Sequence, residues 1–165
     1  MSRATIRSAT PKDADDLAHV WVDMARYYTS LDPERFRMPQ EEGLAAWIMT
    51  RLDPSHGHIT LVAEHAGHVV GFLEAHLIAP RENAPYQLMR EAGKMRLIID
   101  IVGVDRESWG QGVGTDLILA AEEWGRFHGA EIAVVDTYTA SPVSVPFYEK
   151  MGYRPAQVSY SKPIR

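Results

Sequence analysis

Three glycines at alternate positions, Gly110, Gly112 and Gly114, end the stretch DRESWGQGVG, and Thr115 follows them. An apolar run, LIIDIVGV over Leu97 to Val104, precedes that stretch, and Val113, Leu117, Ala120, Ala121 and Trp124 recur after it at helical steps. A strand that passes through glycines into a helix start can hold an anion. The first N–H groups of a helix have no intrahelical partner, and the macrodipole places about half a positive charge there. Glycine removes the Cβ that would keep a bulky phosphate away from those amides. The ligand implied is a phosphate or pyrophosphate, and the glycines alone leave its carrier open.

A second group of residues could move protons. Asp100 interrupts the apolar strand, and a carboxylate buried there is costly unless it has a partner or a task. Glu74 and His76 alternate on the preceding strand, and Asp136 lies on the following one. Any of them can accept a proton, directly or through an ordered water. Tyr148 lies in FYEKMGY, Phe147 to Tyr153. A phenol with a pKa of about 10 stays protonated near neutral pH and can donate a proton.

The elements that must position these groups can be read in order. Ala4 to Ala9 alternates as a first strand, and Thr10-Pro11 begins a helix to about Tyr28. A loop through Leu31 to Pro39 leads to a second helix from Gln40 to Leu52, with Leu44, Trp47, Ile48 and Leu52 inward. Residues 53–57 form a turn. Ile59 to Glu64 and Val69 to Ile78 make a hairpin, with Val70, Phe72, Glu74 and His76 on one face. Ala79 to Lys94 is a long connection with a helical turn at Tyr86 to Glu91. After the central strand and its helix come a strand from Glu131 to Tyr138 and a short helix from Ser141 to Met151. Pro146 is awkward inside that helix and predicts a distorted or late-starting turn. A last strand runs from Tyr153 to Lys162. The order is β-α-α-β-β-β-α-β-α-β, an α/β fold in one domain over residues 1–165.

Known phosphate loops narrow the choice. A Walker A loop needs Lys before the Ser or Thr, and Thr115 has Gly114 there. A dinucleotide fingerprint spaces its glycines as G-x-G-x-x-G, whereas this loop reads G-x-G-x-G. The stretch resembles motif A of the GNAT N-acetyltransferase superfamily, with Val104 ending the strand and Gly112 and Gly114 as the motif glycines. Trp109 stands where that family usually has Arg or Gln. FYEKMGY is similar to the family's C-terminal Phe-Tyr-Glu-Lys-x-Gly-Phe stretch, and the order and spacing of the two matches agree.

The resemblance implies a mixed, mostly antiparallel sheet with a splayed central strand pair, and acetyl-CoA as co-substrate without a metal. It implies coenzyme contacts from Val102, Gly103 and Val104, then from Trp109, Gly110, Gln111, Gly112, Val113, Gly114 and Thr115, and from Ser141 and Tyr148. Val102 N–H would face the thioester oxygen, Val104 would pair with the pantetheine arm, and Tyr148 would protonate the departing thiolate. Ser141 and Ser144 stand where the family often has Asn and Ala. Asp100 and Glu74 are the leading candidate bases. Tyr27, Tyr28, Glu74, Tyr86 and Asp136 would shape the acceptor pocket. The activity implied is transfer of an acetyl group, by direct attack, to a primary amine of a small molecule or peptide. A coenzyme-binding sensor or assembly module on the same fold is the alternative, and the departures at Trp109 and Ser141 give it weight. The resemblance also allows a homodimer.

Composition agrees with these expectations. The chain has 165 residues, no cysteine and a net charge of −5. Without cysteine, a thiolate nucleophile, thiolate zinc sites and disulfides are excluded. The negative charge argues against a nucleic-acid partner and favours a cationic one. No apolar run approaches the roughly 18 residues that span a bilayer. The expectation is a cytoplasmic protein without membrane contact. His56, His58, His65 and His68 lie near turns, and no carboxylate spacing beside them suggests a metal site.

Overall fold

The computed structural model describes residues 3–52 and 57–164, so 53–56, with most of the expected turn and His56, lie outside the described residues. β1 (Thr5–Ser8), β2 (His58–His65), β3 (His68–Ile78), β4 (Arg96–Val104) and β5 (Ile132–Val135) form one sheet in sequential order. The first three junctions are antiparallel, and β4 pairs with β5 in parallel. A parallel junction needs a crossover. α3 (Val113–Phe127) supplies it, covering one face of the sheet. α1 (Ala14–Leu31) and α2 (Leu44–Arg51) cover the other. α4 (Ser144–Lys150) follows β5.

The unbroken apolar character of β4 follows from this sandwich. Leu97 and Ile99 are buried in the cluster with Leu117 and Ile118 of α3. Ile101 packs against the opposite cluster, where Leu17, Val20 and Ile48 meet Phe72. A strand covered on both faces has no solvent side to mark with polar residues.

Two bulges change which residues share a face. Opposite Ala63 and Glu64 of β2 stand Gly71 and Val69, so Val70 is an extra residue in β3. Val69 therefore joins Phe72 against α1, while Val70 packs on the α3 side, correcting the simple alternation expected from sequence. In β4, Ala75 pairs with Ile99 and Glu74 with Ile101, so Asp100 is the extra residue.

The bulge at Asp100 has a larger consequence. Pairing of β4 with β5 ends at Ile99 and Val135, although β4 continues to Val104. A bulge increases local twist, which carries the end of β4 away from its parallel neighbour. The central pair is thus splayed, as the resemblance implies.

Several expectations are corrected. α2 begins at Leu44 because residues before it close a turn, with Leu44 N–H donating to Glu41 at 3.1 Å. Trp47 is 43 % exposed, lying edge-on to Trp21 at 5.2 Å with Arg51 over its ring. The connection before β4 holds two 3₁₀ turns, Ala84–Tyr86 and Arg90–Gly93, and not a turn over Tyr86 to Glu91. No strand forms over 153–164, where Val158, Tyr160 and Ile164 are exposed. Alternation favours a strand only where a ladder and a covered face reward it.

Candidate active site

A cavity of about 580 Å³ opens where β4 and β5 part. Val102, Gly103 and Val104 of β4 form one wall, and the loop and first turn of α3 form the next. Met24, Tyr27 and Tyr28 of α1 face them, and Ser144, Phe147 and Tyr148 of α4, with Met151 just after it, form the remaining wall.

The ladder fixes which backbone groups enter this space. Asp105 N–H donates to Val70 at 2.9 Å, so the adjacent pair Gly71 and Val104 exchanges no hydrogen bonds. By alternation, Val102 opposite Leu73 is also such a position. The N–H and C=O groups of Val102 and Val104 therefore turn away from β3, toward the side that β5 has left.

The glycine loop is built on Asp105, whose carboxylate accepts from Glu107 N–H at 3.0 Å. Gly112 caps α3 with φ +86°, and a Cβ built there meets nothing within 4 Å. The cradle is open to a bulky anion. Asp116 N–H is bonded to Gly112 at 2.9 Å, so the N–H groups of Val113, Gly114 and Thr115 precede the intrahelical ladder. Gly114 lies against α4: a Cβ there would touch the Phe147 ring at 3.4 Å, an ordinary contact distance. Gln111 turns away, its amide donating to the Glu107 carbonyl at 2.9 Å, and it does not line the cavity.

α4 carries Tyr148 to the cavity. The helix starts at Ser144, which places Pro146 in the first turn, where a missing N–H costs nothing. Burial pushes the Tyr148 phenol above its usual pKa, with Tyr28 a lesser cause.

Ser141 is buried, and its hydroxyl is already engaged. It meets the Tyr27 hydroxyl at 2.8 Å and the Ser144 hydroxyl at 3.0 Å, and accepts from Ser144 N–H at 3.0 Å. The Tyr28 hydroxyl reaches Ser144 at 3.3 Å. Two serines and two tyrosines thus tie α4 to α1. Ser141→Ala is expected to lower stability by about 1–3 kcal/mol, because it leaves part-buried partners short of a bond. Urea unfolding would show a lower midpoint at unchanged slope.

The expected proton acceptors lie outside the cavity wall. Glu74 is gripped by Arg51, with Oε2 2.5 Å from Nη2. Asp100 is not buried: its side chain is 38 % exposed and lies 2.7 Å from Nδ1 of His76. The bulge explains this, since it turns both Asp100 and Ile101 toward the α1–α2 side. His76 stacks on His58 with ring centres 5.3 Å apart. Tyr86 is 88 % exposed, in the connection at the opposite end of β4. Asp136 is exposed beyond the end of β5. Neither reaches the cleft. Sequence reasoning missed Met24, Ser144 and Phe147 as lining residues, although Phe147 stands beside Tyr148 in FYEKMGY.

A mostly antiparallel sheet opened at its parallel pair, with a glycine-capped crossover helix beside the opening, defines the acetyltransferase class of α/β domain. The chain belongs to the acetyltransferase (GNAT) family, which it matches over residues 21–153. The fold is similar to that of the tetramutant of the BH1408 protein from Bacillus halodurans, with a TM-score of 0.82 at 18 % identity over 97 % of this chain and 99 % of that one. It is also similar to an acetyltransferase from Trypanosoma brucei, with a TM-score of 0.65 and 23 % identity over 98 % and 99 % of the two chains. An aminoglycoside acetyltransferase from an uncultured soil metagenomic sample, solved in complex with sisomicin, gives a TM-score of 0.65 at 16 % identity, covering 98 % and 97 %. No curated protein sequence matches this chain.

Proposed function

We propose that this protein is an acetyl-CoA-dependent N-acetyltransferase that acts on a primary amine of a small molecule or peptide by direct attack. The observation that carries this reading is the convergence, on one cavity, of three features: strand N–H groups turned off their ladder, an open helix mouth, and a tyrosine hydroxyl. The open space at Gly112 fits a diphosphate, and the amides of Val113, Gly114 and Thr115 would hold it. Val104 would bind the pantetheine arm through its backbone. When bound, the coenzyme supplies an acyl thioester.

Each remaining requirement falls to the chain itself. Val102 N–H donates to the carbonyl oxygen as negative charge develops there, a contribution of up to about 3–4 kcal/mol where such donors have been removed. Tyr148 keeps its proton through neutral pH and gives it to the departing sulfur. The ammonium of the acceptor must lose a proton. Arg51 neutralises Glu74, which leaves Asp100 with His76, acting through water, as the better-placed acceptor. Asp100 lies two residues before Val102 on the same strand.

The test is release of free thiol from acetyl-CoA in the presence of a panel of amines, with product mass confirming one added acetyl group. Turnover on an amine is expected. Tight binding of coenzyme A with no turnover on any amine would overturn the enzyme reading and favour a sensor.

A further inference from the structure

The Val104 carbonyl turns off the ladder into the opening, yet it has a partner. Trp109 Nε1 donates to it at 2.9 Å. Two further contacts hold the indole in that place. Its ring lies edge-on to Tyr27 with centres 5.2 Å apart, and the Arg106 guanidinium sits over it at 5.5 Å. Trp109 also lines the cavity, alongside Val102 and Val104. A side chain therefore makes the hydrogen bond that a neighbouring strand would otherwise make.

The proposed coenzyme arm carries amides, and an arm running beside β4 would offer its N–H to that carbonyl. A carbonyl oxygen can accept twice, but the indole ring occupies the space beside this one, so an amide N–H arriving along β4 meets the indole already there. We infer that Trp109 is the internal occupant of the arm's place along β4, and that arm binding requires the indole to release the Val104 carbonyl. This inference rests on the coenzyme reading above. It makes Trp109 a specificity-determining residue: ligands with an amide-bearing arm must displace it, and ligands with phosphates alone need not.

Trp109→Phe tests this, because Phe keeps an aromatic ring against Tyr27 and under Arg106 but has no N–H. Calorimetry with coenzyme A and with phosphopantetheine should show Kd falling about three- to tenfold in the variant, the worth of one neutral hydrogen bond. Adenosine 3′,5′-bisphosphate, which has phosphates but no arm, should bind both proteins equally. Coenzyme A should shift the tryptophan emission of the wild-type protein, and that shift should be absent from Trp109→Phe. Unchanged or weaker coenzyme A binding by the variant would overturn the inference and leave the coenzyme reading intact. A wild-type protein that binds neither coenzyme A nor the bisphosphate would overturn the coenzyme reading itself, and this inference with it.

Discussion

Gly112→Val should abolish coenzyme A binding, raising Kd by at least about a hundredfold, whereas Gly112→Ala should change it by no more than about threefold. The contrast comes from two separable costs. Any L side chain at φ +86° bears the left-handed penalty, about 1–2 kcal/mol, so both variants should lose stability, the β-branched valine more than alanine. The alanine Cβ points into open space and leaves the mouth of α3 passable. Valine adds two methyl groups on that carbon, in front of the amides of Val113 and Gly114. Calorimetric titration with coenzyme A, beside thermal unfolding of both variants, reads the two costs independently. Equal affinities for the two variants would show that the phosphates do not approach Gly112.

Tyr148→Phe should lower kcat by about 10²-fold or more while leaving the Kd for coenzyme A nearly unchanged. The ring of residue 148 packs against Phe147 and Tyr153, with centres 5.1 and 5.7 Å away, and phenylalanine preserves both contacts. Only the hydroxyl is lost, and with it the proton that the proposed reaction assigns to the departing thiolate. The pH profile adds a second check. Burial holds the folded-state pKa above the ordinary phenol value of about 10, so the donor form persists as pH rises through the neutral and mildly alkaline range. No alkaline fall in kcat below about pH 10 should be traceable to Tyr148. A variant with wild-type kcat would remove the phenol from the reaction.

The parts of this site differ in how far residue types reveal them. Gly112 and Gly114 are legible because the backbone at a helix mouth requires absent side chains, and absence shows directly in sequence. Their different surroundings are not legible: the first is a left-handed cap facing open space, the second packs beside Phe147. The central strand is readable for a similar reason, since burial on both faces leaves a continuous apolar run. Asp100 within that run looks like a buried charge. The bulge that turns it outward to His76 depends on how β3 and β4 align, which no local pattern specifies. Ser141 likewise stands where a ligand contact is expected, and only packing of α4 on α1 commits its hydroxyl to Tyr27 and Ser144.

Sequence alone determined the order of strands and helices up to α4, the position of the glycine-capped helix start, and the tyrosine near it. These follow from local rules: hydrophobic period, glycine conformation and proline placement act within a few residues. Tertiary structure decided which carboxylates meet histidine or arginine, which tyrosines line the cleft, and that residues 153–164 form no strand. Those outcomes depend on register, twist and the company of distant segments, and a side chain's neighbours exist only once the sheet has closed on its helices.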